Sequence, residues 1–262
     1  MKANKLAVFI VTTYIGFISM AHASAPQPVF SPEQEARIGE IAADYLVSHP
    51  EILVTVSHKL QEQQEARKQK MFALSVMENQ ANLLHDPDTP AYGPDNAKVA
   101  VIEFFDYQCV FCSRFAPELE KVMKAQPDVR YLFKEWPIFG GRWEASLQAA
   151  QQGLTVWQKK GPQAYVTYHN AIYATGHNEG KLTAEDIHGA ASKAGLTTPA
   201  PGDHTASLEK NSNLAEALGL TGTPGIIVMP VSGATPDTIT VFPEAVTAER
   251  LQAAIRKASH AQ

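Results

Sequence analysis

The chain has 262 residues, of which 45% are hydrophobic and 19% charged, and its net charge is −5. This balance is typical of a globular protein with enough chain to bury a sizeable core, and it excludes a disordered or transmembrane-rich class. No basic patch, and no basic run with interleaved aromatic residues, points to nucleic acid.

The N-terminus has the pattern of a secretory signal. Lys2 and Lys5 precede an apolar stretch over residues 6–18, and Ala21-His22-Ala23 places small residues where a signal peptidase cleaves. We therefore predict that residues 1–23 are a signal peptide and that the mature chain is periplasmic. An uncleaved membrane anchor needs about 20 apolar residues and a stop-transfer flank, and the sequence has neither.

Two amphipathic helices are predicted next. Ser31 and Pro32 form a helix start, and apolar residues then recur at helical spacing, first at Ile38, Ile41 and Tyr45 and then over residues 52–60. A polar segment, residues 61–70, follows. The apolar stripe must be buried against something: either this chain's own domain or the stripes of further copies. Periodicity alone leaves both alternatives open.

The remaining sequence alternates between strand and helix patterns. It predicts a strand over residues 99–105, a helix over 109–124 and a strand over 129–135. A helical stretch over 143–220 follows, with expected breaks at Gly153 and three later glycine-containing segments. Strands near 225–229 and 239–242 and a helix from Thr247 complete the pattern. The order is βαβ, an inserted helical block, then ββα.

Cys109 and Cys112 are the only cysteines, and they lie where the first strand meets its helix. A C-x-x-C pair at such a junction is typical of a thioredoxin-type redox site. Cysteines of exported proteins are more often structural staples, but this loop is too short to constrain much chain. The pair is therefore predicted to be redox-active.

The two sulfurs are expected to have different roles. Cys109 begins the helix, where unpaired N–H groups and the helix dipole favour a thiolate, so it is predicted to be the exposed nucleophile. Cys112, one turn later, would be the resolving cysteine. Val110 and Phe111 bring no charge to the thiolate. We therefore expect the dipole to act nearly alone and the acidification to be moderate.

Several motifs together resemble one family. Pro117 stands five residues after Cys112, a Thr-Pro pair precedes a late strand, and residues 103–109 and 133–137 are similar to segments of exported oxidoreductases. Over about residues 80–260 the chain resembles DsbA-like thiol–disulfide oxidoreductases, most closely suppressor-of-copper-sensitivity protein C. The resemblance implies an α/β thioredoxin fold with an inserted helical subdomain and an N-terminal helical extension.

The resemblance also implies site residues. Thr223–Pro224, which on its own reads as a turn, becomes the cis-proline loop that binds a substrate backbone. Glu103 matches a buried acid that assists proton transfer to the resolving cysteine. On the residues alone it is an acid at a strand end that Lys134 neutralises, and a buried Glu–Lys pair could do both. Threonine before the proline favours disulfide isomerisation. Val110 and Phe111 stand where strong oxidants carry other residues, which disfavours strong oxidase activity.

Domains and partners follow from the same likeness. Residues 24–70 are expected to form a helical oligomerisation stalk and polar connector, with a trimer favoured, ahead of a catalytic domain over 71–262. Implied partners are unfolded or misfolded secreted proteins and a membrane protein that resets the cysteine pair. No cofactor is expected.

Two other functions are compatible with parts of the sequence. Cys109 and Cys112 could hold Cu(I), which prefers soft thiolates, in a copper-tolerance protein. The nine histidines show no ligand spacing near the pair, and His169, His177, His188 and His204 are expected at the surface. A plain assembly module is the other alternative, and the intact C-x-x-C argues against it.

Overall fold

The computed structural model describes residues 29–197 and 202–259. The predicted signal peptide lies outside these residues. Within the described ranges, no helix combines the length and apolar character needed to cross a membrane.

The described residues form helices α1 to α9 and strands β1 to β5. The helices are α1 Pro32–Ser48, α2 Glu51–Glu78, α3 Gln80–Leu84, α4 Val110–Ala125, α5 Glu144–Lys160, α6 Pro162–Tyr173, α7 Ala184–Lys193, α8 Thr205–Ala217 and α9 Ala248–Ser259. The strands are β1 Ala91–Tyr92, β2 Val99–Phe105, β3 Arg130–Glu135, β4 Gly225–Pro230 and β5 Thr240–Phe242.

The five strands form one sheet in the order β1-β3-β2-β4-β5. β2 and β3 are parallel, and the other neighbours are antiparallel. Alternate residues of β2 enter two apolar clusters: Val101 and Phe105 pack with α4, α6 and α9, whereas Ile102 and Phe104 pack with the end of α2 and with α8. Helices on both faces of a mixed sheet confirm the predicted α/β class.

The pairing of β2 with β4 positions the cysteines. β2 ends shortly before Cys109, and β4 begins immediately after Pro224. Because these strands are antiparallel, with Phe104 opposite Gly225, the end of one lies beside the start of the other. The Thr223–Pro224 segment therefore lies next to the start of α4.

Helix α2 continues through the polar segment without a break. The polar connector was predicted to end at Lys70, but the helix continues past this residue and buries Phe72 and Val76. The Gln69 side chain binds the backbone of Val241 in edge strand β5, donating from Nε2 to its carbonyl at 2.9 Å and accepting from its N–H at 3.4 Å. Gln69, which was predicted to lie in the connector, is thus hydrogen-bonded to the edge of the sheet.

Helix α1 and the first part of α2 form a unit of their own. The chain divides into two compact units, with Lys59 last in the first and Leu60 first in the second. In α1, Ser31 caps the helix in a capping box with Gln34, and no residue of the helix is buried. Large apolar side chains stay exposed in this unit: Ile38, Ile41, Tyr45, Leu46, Val47, Leu53, Val54 and Val56.

Two predicted features of the secondary structure were wrong. Strand β1 was not predicted, because two residues are too few to show a period. Gly153 does not break its helix: α5 runs through it. A Cβ at Gly153 would lie 2.6 Å from Glu135 Oε1 and 3.3 Å from the Tyr107 hydroxyl. The glycine therefore allows α5 to approach buried polar groups closely.

Because of this close approach, replacing Gly153 with alanine should destabilise the protein, unlike the same change at most glycines inside helices. Gly153→Ala should destabilise the protein by about 1–3 kcal/mol through overpacking, although alanine favours helix formation. The matched control is Gly189→Ala in α7, where a Cβ meets nothing within 4 Å, and this change should stabilise by up to about 1 kcal/mol. Urea unfolding of both variants measures the difference, and equal stabilisation by the two would contradict the packing argument.

Candidate active site

The chain turns from β2 into α4 around Asp106. The Cys109 N–H donates to the Asp106 carbonyl at 3.0 Å, and Cys109 is the N-cap residue of α4. The Asp106 carboxylate accepts from the N–H of Gln108 at 2.7 Å, from the N–H of Phe139 at 2.8 Å and from the hydroxyl of Ser146 at 2.7 Å. Burial raises the pKa of Asp106, and these hydrogen bonds oppose the rise. One carboxyl thus joins three segments.

Gln108 ties the helical insertion to the same turn. Its side-chain oxygen accepts from the N–H of Gly180 at 2.8 Å, and its carbonyl accepts from the N–H of Glu179 at 2.9 Å. Sequence reasoning missed both Asp106 and Gln108, since an acid and an amide before a helix read as ordinary turn residues.

Cys109 lies beneath the Thr223–Pro224 segment. This peptide bond is cis, as predicted. The Cys109 thiol donates to the Thr223 carbonyl, with the sulfur and oxygen 3.2 Å apart. Only 3% of Cys109 is exposed, so the expectation of an exposed nucleophile was wrong: the 223–224 segment covers the sulfur.

The two thiols have opposite pKa shifts. The hydrogen bond from Cys112 is the largest cause that lowers the pKa of Cys109, to about 6. Burial opposes this shift, and the backbone N–H groups of Cys112 and Phe111 add to it. Burial raises the pKa of Cys112 well above its usual value, and Cys109 and Glu103 raise it further. The helix N-terminus is therefore only one of several causes that lower the pKa of Cys109.

Glu103 lies in the core and is close enough to Cys112 to affect its pKa. It is 1% exposed, and neither carboxyl oxygen has a hydrogen-bond partner among the described residues. Burial raises the pKa of Glu103 to about 8, and the charge of Cys109 contributes. A carboxyl with this pKa exchanges its proton near neutral pH.

Lys134 does not neutralise Glu103, so that prediction was wrong. In the β2–β3 register Glu103 is opposite Phe133 and Phe104 is opposite Lys134, which sends Lys134 to the other face of the sheet. There its ammonium group donates to the Asp86 carboxylate at 3.0 Å, to the Asn82 carbonyl and to the Thr89 hydroxyl. The lysine fastens β3 to residues 82–89.

A cluster of tyrosines surrounds a second buried carboxyl, Glu135. The hydroxyls of Tyr107 and Tyr165 donate to its Oε1 at 3.0 and 2.7 Å. Burial raises the pKa of Glu135 well above its usual value, although these two bonds lower it. Unlike Glu103, this carboxyl has partners that satisfy one of its oxygens.

Two of the four histidines expected at the surface are buried. His169 is 1% exposed and His204 is 6% exposed, whereas His177 and His188 are at the surface as expected. His204 Nε2 lies 2.9 Å from the Thr155 hydroxyl. Within residues 29–197 and 202–259, no three His, Cys, Asp or Glu side chains come together as metal ligands.

The sequence matches two family models. The thioredoxin model matches residues 85–257, and the model for the N-terminal domain of copper resistance protein ScsC matches residues 34–67. The chain belongs to the thioredoxin family. Within that family it is a DsbA-like, ScsC-type member, as the following comparisons support.

Solved structures show the same relationship. BcfH of Salmonella enterica Typhimurium is 38% identical, with 86% of this chain and 96% of that chain covered and a TM-score of 0.72. ScsC of Proteus mirabilis in a transitional conformation is 27% identical, with 88% and 98% covered and a TM-score of 0.60. The predicted thioredoxin fold and DsbA-like family are therefore confirmed.

A curated relative carries the name of an activity. Disulfide bond formation protein D of Bacillus subtilis (strain 168) is 32% identical over 88 residues, which cover 32% of this chain and 38% of that protein. The match thus spans well under two thirds of its length. This thioredoxin family member therefore belongs with the thiol–disulfide oxidoreductases.

The buried carboxyl predicts a pH-dependent gain in stability. Glu103 has a pKa near 8 when folded and 4.5 as its ordinary value, so folding favours its protonated form. That contribution is complete below about pH 4.5 and is lost as pH rises through 8. Glu103→Gln mimics the protonated acid. Its free energy of unfolding should exceed that of the wild type by about 3 kcal/mol at pH 7.

Urea unfolding at several pH values checks this. The two proteins should be similarly stable at pH 4 and diverge as pH rises, while the exposed control Glu65→Gln should follow the wild type throughout. A constant difference between Glu103→Gln and the wild type would contradict the assigned pKa.

Proposed function

We propose that the protein is an exported enzyme that exchanges and isomerises disulfides of secreted proteins through Cys109 and Cys112. The supporting observation is the opposite pKa shift of two adjacent thiols beside a cis-proline segment. Cys109 is largely thiolate at neutral pH, and Cys112 stays protonated. Only the first is then ready to attack a disulfide.

The reaction has two steps. The Cys109 thiolate attacks a substrate disulfide, forming a mixed disulfide and releasing one substrate thiolate. Once Glu103 is ionised, Cys112 gives it its proton and attacks the Cys109 sulfur, so that the Cys109–Cys112 bond forms while the bond from Cys109 to the substrate breaks and the second substrate thiolate leaves. In the opposite direction the same steps oxidise a dithiol, and Cys112 recovers its proton.

Substrate would bind along the Thr223–Pro224 segment. The Thr223 carbonyl already lies at the Cys109 sulfur, so a polypeptide that pairs with this backbone brings its own sulfur close. Phe111, next to the nucleophile, is 54% exposed and has the Arg114 guanidinium 5.6 Å from its ring centroid. It offers an apolar contact to unfolded chains.

The Cys109 pKa supports isomerisation ahead of strong oxidation. A lower nucleophile pKa stabilises the reduced form and makes the disulfide a stronger oxidant. A value of about 6 lies between about 7 in thioredoxin and about 3.5 in DsbA. This intermediate acidity suits an enzyme that must both form and release mixed disulfides.

Export and partners are part of the proposal. The pattern of residues 1–23 supports secretion into an oxidising compartment. There, the substrates would be unfolded or misfolded secreted proteins, and a membrane redox protein would reset the cysteine pair. The proposal requires no cofactor, because both electrons reside on the sulfurs.

Self-association through the N-terminal unit is proposed as well. Eight large apolar side chains of α1 and of the first two turns of α2 are exposed, and burying each stabilises by roughly 1–3 kcal/mol. Packing of these stripes between copies, as a trimer of helical stalks within residues 24–70, would remove them from water. Several redox sites could then act on one misfolded substrate.

The cysteine roles predict distinct behaviour of two matched variants. Cys112→Ser should form mixed disulfides with a disulfide-containing substrate and retain them, because no resolving thiol is present. Cys109→Ser should form none and should lose exchange activity by several orders of magnitude. Non-reducing electrophoresis with mass spectrometry detects the adducts. Equal adduct formation by both variants would contradict the assignment.

The stalk predicts a charge-sensitive assembly. Ile41→Asp should dissociate the mature protein, since it places a charge in the apolar stripe, while Asp44→Lys, which only changes a charge on the polar face of α1, should not. The dissociated variant should still oxidise a reduced protein but should isomerise scrambled disulfides poorly. Light scattering and the two refolding assays test this, and a monomeric wild type would refute the stalk.

A further inference from the structure

His169 of α6 lies buried behind Glu103. Its Nε2 is 3.9 Å from Glu103 Oε2. Neither this nitrogen nor the two carboxyl oxygens has a hydrogen-bond partner in the described part of the chain. The ring packs among Phe105, Phe133 and Tyr173 at centroid distances of 5.0, 5.1 and 4.9 Å. An apolar ring would fill this place without leaving a polar atom unsatisfied, so packing alone does not account for a histidine here.

The other ring nitrogen defines the tautomer. Nδ1 lies 3.0 Å from Asn170 Oδ1, and an amide oxygen accepts, so Nδ1 carries the hydrogen. Nε2 is left as an acceptor facing Glu103. The gap of 3.9 Å is about 1 Å longer than a hydrogen bond, so a relay requires a change in the Glu103 side-chain torsions that brings the two atoms together.

Asn170 connects the ring to the surface. It lines a cavity of about 750 Å³ between α4 and α6, together with Glu120 and Gln163. The imidazole therefore stands between the buried carboxyl and this cavity. The charge of Glu120 favours a protonated ring, so the electrostatics also fit a proton that passes outward.

The neighbouring ionisable groups hold their protons firmly. Burial raises the pKa of the surrounding tyrosines Tyr107, Tyr165 and Tyr173 and of Glu135 well above their usual values. Burial lowers the pKa of His169 to about 4 and raises that of Glu103 to about 8. The resting proton therefore stays on Glu103, and the neutral ring can accept it briefly.

We propose that His169 relays protons between Glu103 and the surface cavity at Asn170 during thiol–disulfide exchange. This rests on the function proposed above. The Glu103 carboxyl first passes its proton to Nε2 while Nδ1 releases its own proton to the cavity, and the ionised Glu103 then accepts the proton of Cys112 as this sulfur attacks Cys109. When the disulfide is next reduced, Cys112 recovers a proton from Glu103, Glu103 takes one back from Nε2, and Nδ1 takes one from the cavity, which restores the first tautomer. His169 touches neither sulfur, so it acts only through Glu103.

The test uses the full mature protein and measures how fast a preformed mixed disulfide between Cys109 and a small peptide resolves at pH 7, by acid quench and mass spectrometry. His169→Phe keeps an aromatic ring, and His169→Gln keeps an acceptor but cannot relay a proton. Both should resolve about 10- to 100-fold more slowly with a larger solvent isotope effect. The Cys109 pKa, followed by thiolate absorbance, should not change.

Two surface variants complete the design. Asn170→Leu should slow resolution in the same direction, and Gln163→Leu, in the same cavity but without contact to the ring, should match the wild type. If both core variants fail to fold, Asn170→Leu decides. Wild-type rates in the His169 variants, or recovery by His169→Gln alone, would overturn the relay. A wild type that forms no mixed disulfide would instead overturn the proposed function.

Discussion

The antiparallel pairing of β2 with β4 is the constraint on which the site depends. With Phe104 opposite Gly225, the last turn before α4 and the first residue before β4 must meet at one edge of the sheet. Cys109 and Thr223 are far apart in sequence, yet this register brings sulfur and carbonyl to 3.2 Å. A register shift would move the two segments apart along the strands, and the sulfur would lose both its cover and its hydrogen-bonding partner.

Three buried carboxyls lie near the cysteines, and they differ in the number of hydrogen bonds that they accept. Asp106 accepts three hydrogen bonds, and Glu135 accepts two from tyrosines. Glu103 has none. Buried carboxyls without partners are costly when charged, so its proton is bound and released near neutral pH. The absence of a partner is what makes this carboxyl useful to a neighbouring thiol.

The sequence predicted elements whose signal is local. The apolar run of residues 99–105 followed by C-x-x-C gave β2 and the start of α4, and family resemblance added the cis segment at Thr223–Pro224. Features that depend on register were beyond it. Lys134 was paired with Glu103 because both lie in strands, but the β2–β3 register puts them on opposite faces. His169 was placed at the surface, because nothing in a helix pattern shows which buried carboxyl it will face.

The substrate and the proton of Cys112 approach the site from different sides. Thr223 covers Cys109 from the side on which a substrate backbone would pair, whereas Glu103 and His169 lie in the core and continue toward the cavity at Asn170. A substrate bound over the cysteines would close the first side to water. If the Cys112 proton had to leave by that side, the bound substrate would block the proton transfer that resolution of the mixed disulfide needs. A route through the core lets the mixed disulfide stay covered while Cys112 loses its proton, which favours resolution over premature loss of the substrate to external thiols.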